Sequence, residues 1–205
     1  KSTLRYFILK NREIKKSDME TDSSLTKFVN DKIPFTELSY VPENLEIVSS
    51  EFVYDAKAGT SQVTSQTNTQ LQKMAEAYYD EFWKKMTIVS AYRSYAYQAG
   101  IKARWCPDNL CAKAGYSEHQ WGLTIDLWSA SNQATWEASP SLTENYTWLS
   151  ENAHQYGFHN TYQKGREVDG YEIEPWHWRY MGIEFASYLH NQDITFAEFY
   201  YRDVE

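Results

Sequence analysis

Cysteine is scarce: Cys106 and Cys111 are the only two in 205 residues, too few for a Cys-rich zinc knuckle. Basic charge is also short, with 20 Lys plus Arg against 28 Asp plus Glu and a net charge of −8. A polyanion-binding surface needs a dense basic stripe and none is visible, so nucleic acid is not an expected partner. No apolar run reaches bilayer length, so no transmembrane segment is expected. Repeats and low-complexity tracts are missing as well.

Core-forming material is plentiful. Hydrophobic residues make up 42% and charged residues 23%, which suits one domain, or one domain plus a tail. Aromatics reach 17%, with 8 Trp and 17 Tyr; such residues wall pockets but more often fill cores. Only Pro107, Asp108, Asn109 and Leu110 separate the two cysteines, and a turn there lets them meet as a disulfide. Two free thiols, or half a metal site, is the alternative. A disulfide implies an oxidising, extracytoplasmic location, in the cell envelope or secreted. The chain begins at Lys1 rather than Met, consistent with an upstream signal or anchor.

Residues 1–24 read as an N-terminal arm or tether, because the short apolar patch at Tyr6–Leu9 gives way to a polar, charged stretch. From residue 25 to 205 the texture is globular. Leu25, Phe28 and Val29 have helical spacing, and Pro34 and Pro42 punctuate an extended stretch. Residues 69–85 place Leu71, Met74, Ala75, Tyr78, Tyr79 and Phe82 on one helical face. A buried strand is predicted over 87–91, a helix over 95–104 and a strand over 123–127. In that last strand Leu123, Ile125 and Leu127 alternate with Thr124 and Asp126. Residues 148–156 predict a helix capped by Gly157, residues 170–174 a strand stopped by Pro175, and 182–190 and 195–200 two closing helices. Helices and strands interleave without a βαβ rhythm. The expected fold is α+β, a mostly antiparallel sheet flanked by helices, with the site at the sheet cleft.

Two segments carry the chemistry: residues 117–126 (Ser-Glu-His-Gln-Trp-Gly-Leu-Thr-Ile-Asp) and 174–179 (Glu-Pro-Trp-His-Trp-Arg). Asp126 lies on a strand whose other face is apolar, and a buried carboxylate must be paired, hydrogen-bonded or metal-bound. Gly122 lets the chain turn sharply and bring His119 over the strand end. His177 sits between Trp176 and Trp178. Two imidazoles and a carboxylate suit a single catalytic zinc ion with a position left for water. Glu174 supplies a general base if the chain bends at Pro175; a regular strand would put it on the opposite face from His177. The competing reading pairs Asp126 with Arg179 and makes the tryptophans core. His154, His159 and His190 read as packed or surface residues.

At these residues the chain resembles the zinc-dependent D-alanyl-D-alanine carboxypeptidases of the VanY type, a bacterial cell-wall peptidase family. Its Ser-x-His-x-x-Gly-x-Ala-x-Asp motif matches Ser117, His119, Gly122 and Asp126, and its Glu-x-Trp-His motif matches Glu174, Trp176 and His177. A Ser-x-Tyr-Arg-Ser element before a Gln-bearing helix matches Ser90, Tyr92, Arg93, Ser94 and Gln98. The likeness covers roughly residues 25–205, including Tyr40-Val41-Pro42, Asn152-Ala153, Tyr156-Gly157-Phe158 and Arg179-Tyr180-Met181-Gly182.

The resemblance implies His119, Asp126 and His177 as zinc ligands and Glu174 as base. It implies Arg93 at the substrate carbonyl or carboxylate, with Ser117, Gln98 and Trp176 also toward substrate. The implied reaction is hydrolysis of the terminal D-Ala-D-Ala bond of peptidoglycan stem peptides, by a monomer. L,D-carboxypeptidase action on tetrapeptide stems, endopeptidase action, and a non-catalytic wall-peptide-binding module remain as alternatives. Thr124 stands where the family has Ala, and His159-Asn160-Thr161-Tyr162 where relatives have an apolar pair and then Arg. The Cys106–Cys111 segment, with Trp105, is read as a rim of the cleft.

Overall fold

A computed structural model describes residues 7–9, 12–104, 106, 111–130 and 132–202. Near the start, strand β1 (Phe7–Leu9) pairs antiparallel with β2 (Arg12–Ile14), and a short helix α1 (Lys16–Glu20) follows. Strand β3 (Leu45–Ile47) then precedes β4 (Val53–Asp55) and β5 (Gln62–Thr64), and β3 pairs antiparallel with β5.

The long helix α2 (Ser65–Phe82) starts four residues earlier than the apolar periodicity suggests and ends at Trp83, which adopts a left-handed conformation with φ 54°. Its Leu71, Met74, Ala75 and Tyr78 are buried in a single stripe, as the three-and-four spacing requires. Truncating one such side chain, Met74→Ala, would cost about 2–5 kcal/mol. Strand β6 (Met86–Ser90) and helix α3 (Tyr95–Arg104) lie where the sequence places them, as does β7 (Thr124–Leu127). A short helix α4 (Gln133–Glu137) leads to α5 (Pro140–Asn152). Helix α5 begins well before residue 148, because Ser139 accepts a hydrogen bond from the Leu142 amide and Pro140 preorganises the first turn. A 3-10 turn over Ala153–Tyr156 ends on left-handed Gly157.

Two expectations are corrected. Residues 170–174 form no strand: helix α6 (Arg166–Asp169) ends there, and the chain turns through Pro175 before entering β9 (His177–Tyr180). The β9 partner β8 (Phe158–Asn160) was hidden by its brevity and mixed polarity. Residues 21–30, likewise, are turns rather than helix, although Phe28 and Val29 are buried. Helices α7 (Ile183–Gln192) and α8 (Phe196–Arg202) close the chain.

The main sheet has five strands in the order β4-β6-β7-β9-β8, antiparallel except for the β4–β6 pair. Alternation divides its two faces. Ile125, Leu127, Trp178 and Tyr180 join Leu71 and Met74 of α2 and Leu149 of α5 in the principal core. Thr124, Asp126, His177 and Arg179 therefore share the other face, and register sets Asp126 opposite His177 and Thr124 opposite Arg179. A second core gathers Phe185, Phe196 and Phe199 with Ile14, Met19 and Phe28 from the N-terminal part.

Candidate metal centre

Register is what joins two distant segments here. Asp126 and His177 are cross-strand partners, so their side chains rise side by side from the polar face of the sheet. His119 arrives from a 3-10 turn (Glu118–Trp121) that ends on Gly122 at φ 72°. A Cβ at Gly122 would fall 2.7 Å from the end of the Leu45 side chain, which would have to shift, and the left-handed turn itself favours glycine.

The ring nitrogens are divided between two jobs. His119 Nδ1 donates to the Ala91 carbonyl at 2.7 Å, leaving Nε2 to face Asp126 Oδ1 at 3.2 Å. His177 Nε2 lies 2.9 Å from Glu118 Oε2, leaving Nδ1 at 3.4 Å from Asp126 Oδ1 and 3.5 Å from Glu174 Oε2. His119 Nε2, Asp126 Oδ1 and His177 Nδ1 are each buried without a properly aligned hydrogen-bond partner among the described residues. One ligand atom from each of the three residues lies within 4.8 Å of the others. Converging buried lone pairs are costly unless a cation sits among them, and two imidazole nitrogens with one carboxylate oxygen fit a divalent transition metal.

Protonation follows from the same crowding. Burial, with help from the Arg93 charge, lowers His119 to about 4 and keeps it a neutral, ligand-ready imidazole. Asp126 is buried too, yet His119 and His177 hold it well below the usual carboxylate range. Burial raises Glu174 to about 7; Asp126 pushes the same way while His177 and Arg93 resist. His177 goes up to about 9 despite its burial, because the Asp126 and Glu118 carboxylates both face its ring nitrogens. In the metal-free chain that proton answers a negative field which a divalent cation would neutralise more fully.

The structure brings His119, Asp126, His177 and Glu174 together. The bend at Pro175 makes this possible: the His177 amide donates to the Glu174 carbonyl at 3.1 Å, so Glu174 turns back to the face that a straight strand would deny it. Arg93 follows β6, its amide donates to the His119 carbonyl at 3.2 Å, and its buried Nε has no partner among the described residues. Trp176 is half-buried beside Trp136, ring centroids 5.9 Å apart, and its side chain helps hold Glu174 down against its burial. Ser117 is buried at the head of the 3-10 turn. Gln98 is buried and donates its amide to the Ala112 carbonyl at 2.8 Å.

The supporting residues were largely missed by sequence reasoning. Arg179 pairs with Glu118 at 2.6 Å, not with Asp126. Thr161 Oγ1 donates to Glu118 Oε2 at 2.6 Å, and Tyr162 stacks on His177 with ring centroids 4.1 Å apart. Glu118 is next to a ligand in sequence, which was the available signal; the residues it meets come from β9 and the loop after β8. The disulfide between Cys106 and Cys111 is present, with a Cα–Cα distance of 5.8 Å. Trp105 and residues 107–110 lie outside the described residues, and with them the proposed rim of the cleft.

Comparison with known proteins agrees with this geometry. Residues 60–183 match the family model VanY, described as D-alanyl-D-alanine carboxypeptidase. YodJ of Bacillus subtilis, to which a carboxypeptidase activity is ascribed, is 32% identical over 170 residues, 79% of this chain and 62% of its own length. This chain thus spans under two thirds of that relative. The LdcB LD-carboxypeptidase structure superposes with a TM-score of 0.73 at 28% identity, covering 90% of this chain and 88% of the other. A vancomycin-resistance D,D-pentapeptidase VanY variant in complex with Zn(II) superposes with a TM-score of 0.62 at 27% identity, covering 85% and 97%. With a matched region that contains every residue of the His119–Asp126–Glu174–His177 cluster, the chain belongs to the VanY family of D-alanyl-D-alanine carboxypeptidases.

Proposed function

We propose that the protein is a zinc-dependent D,D-carboxypeptidase that removes the terminal D-alanine from peptidoglycan stem peptides ending in D-Ala-D-Ala. The observation that carries this reading is the set of three orphaned ligand atoms converging beside a fourth, protonatable carboxylate, Glu174. His119 Nε2, Asp126 Oδ1 and His177 Nδ1 would hold one zinc ion. Bound zinc supplies Lewis acidity toward the scissile carbonyl and lowers the pKa of water.

The chain's own groups supply the rest. Glu174, held near about 7 by burial, is populated in both forms at neutral pH, as a group that takes a proton and then gives it to a departing amine must be. Arg93 places a positive charge where it already acts on both His119 and Glu174, and would bind the substrate's carbonyl oxygen or terminal carboxylate. Trp176 and Tyr162 wall the site and exclude water. The Cys106–Cys111 disulfide supports work in an oxidising place, the cell envelope or outside the cell. Among the described residues no helix is long and apolar enough to cross a membrane.

A second reading, L,D-carboxypeptidase action on tetrapeptide stems, draws support from the LdcB likeness over most of the chain. Incubating zinc-loaded protein with pentapeptide and tetrapeptide stems and weighing the products separates the two. Loss of one D-alanine from the pentapeptide alone is expected. Loss from the tetrapeptide alone selects the second reading, and loss from neither leaves a wall-peptide-binding module.

A further inference from the structure

Glu118 is the most enclosed carboxylate near the site, and the reaction proposed above gives it no task. Its surroundings are built entirely of donors. Oε1 accepts from Arg179 Nη1 at 2.6 Å; Oε2 accepts from Thr161 Oγ1 at 2.6 Å and from His177 Nε2 at 2.9 Å. Arg179 is itself enclosed, with Nη2 donating to the Leu25 and Lys27 carbonyls and its guanidinium 5.1 Å above the Phe196 ring.

We infer that Glu118 is a positioning residue that fixes the tautomer of His177 and is itself held by Arg179, thereby tying the metal centre to chain segments at both ends of the protein. The inference rests on reading the cluster as a metal site, but not on which peptide is cut.

The reasoning is a count of donors and acceptors. An ionised carboxylate only accepts, so the 2.9 Å contact requires His177 to carry its hydrogen on Nε2. In the neutral ring that a metal requires, the lone pair is then on Nδ1, the atom that faces Asp126 and Glu174. The opposite tautomer would place two lone pairs against each other at Nε2 and bury a hydrogen where the metal must sit. Ring orientation is set as well, since Tyr162 stacks on one face of the imidazole at 4.1 Å while Glu118 holds its far edge.

Arg179 has its own reason to be there. A bare carboxylate beside His177 would add one more negative charge to a site that already holds Asp126 and Glu174. Paired with Arg179, Glu118 aligns the ring while adding no net charge, so the cation is balanced by Asp126 and Glu174. Arg179 in turn needs acceptors, and finds them on residues 25 and 27; its ring partner Phe196 comes from α8. Those three residues lie outside the 60–183 stretch matched by the family model, so the metal ligand is braced by parts of the chain beyond it.

Two measurements test this in the full chain. Long-range proton–nitrogen NMR of zinc-loaded protein labelled with nitrogen-15 histidine reads the His177 tautomer without any substitution. A hydrogen on Nε2 is expected; a neutral ring carrying it on Nδ1 overturns the inference. Zinc affinity is then measured by chelator competition for Glu118→Gln and Thr161→Val. An outer-shell loss costs roughly 10–100-fold in metal affinity, expected for Glu118→Gln, and a smaller loss for Thr161→Val, which removes one hydrogen bond and leaves the charges. Unchanged affinity in a folded Glu118→Gln protein overturns the inference. Should Glu118→Gln fail to fold, unchanged affinity in Thr161→Val, together with a free-rotating His177 signal, does so instead. Zinc binding with the expected tautomer but no peptide hydrolysis would reject the proposed function and leave this inference standing.

Discussion

Two histidine clusters lie in this molecule, and their contrast shows what a metal site requires. His154 and His190 stack almost parallel with ring centroids 3.9 Å apart, closer than the 5.1 Å between His119 and His177. Buried His159 shares a small cavity of about 50 Å³ with them. The tighter cluster is nevertheless not the metal centre. Its nitrogens are engaged with hydroxyl and amide groups: His154 Nδ1 meets Ser187 Oγ at 3.1 Å and His159 Nε2 meets Gln163 at 3.3 Å. Among the described residues no carboxylate hydrogen-bonds these rings, although Asp193 also lines the cavity, and burial lowers both His154 and His159. In the other cluster, Asp126 and Glu174 confront unspent nitrogens and the field favours a cation. Proximity of imidazoles is therefore a poor guide; unspent lone pairs facing a carboxylate are a good one.

The largest effect should come from removing Glu174, the protonatable carboxylate that faces a ligand nitrogen in the first cluster. Glu174→Ala should keep its zinc by elemental analysis and lose about 10²–10⁴-fold in turnover, the usual worth of a general acid–base group. Asp126→Asn makes the first cluster resemble the second by deleting its central charge. Zinc affinity should then fall by more than the ~100-fold upper range of an outer-shell loss, read by chelator competition. If zinc stays at wild-type affinity, the contrast between the clusters has been misread.

A smaller effect belongs to His159. Burial lowers it to about 3 in the folded chain, with the His190 and His154 charges adding and Glu118 opposing, against about 6.5 when unfolded. Between those two values the unfolded chain binds the extra proton, so stability falls as pH falls, by up to about 1.4 kcal/mol per pH unit. His159→Gln should flatten that acid limb in urea unfolding between about pH 6.5 and pH 4. The smallest effect is expected for exposed His190: His190→Gln should leave zinc content unchanged and alter stability by less than about 0.5 kcal/mol.

Parts of this were legible in advance, for reasons that differ by element. Helix α2 announced itself through Leu71, Met74, Ala75 and Tyr78, because a long amphipathic stripe is a local signal. Strand β7 showed its alternation, so Asp126 could be assigned to the polar face. Strands β8 and β9 did not show, since three or four residues rich in His, Asn and Trp carry no readable period and are held by their neighbours. Residues 25, 28 and 29 imitated a helix, but Phe28 fills a core shared with α7 and α8 while Leu25 packs against the principal core.

What the sequence determined by itself was the chemical inventory: two imidazoles, an aspartate and a glutamate in two short segments, with Gly122 and Pro175 as the bends that free them from regular geometry. Tertiary structure alone decided which atom of each side chain is available. Strand register set Asp126 against His177, and Ala91 and Glu118 claimed one nitrogen from each ring, leaving the other toward the centre. The physical reason is that a hydrogen bond between residues 28 or 59 positions apart depends on how strands pair and loops close, and no local pattern encodes it.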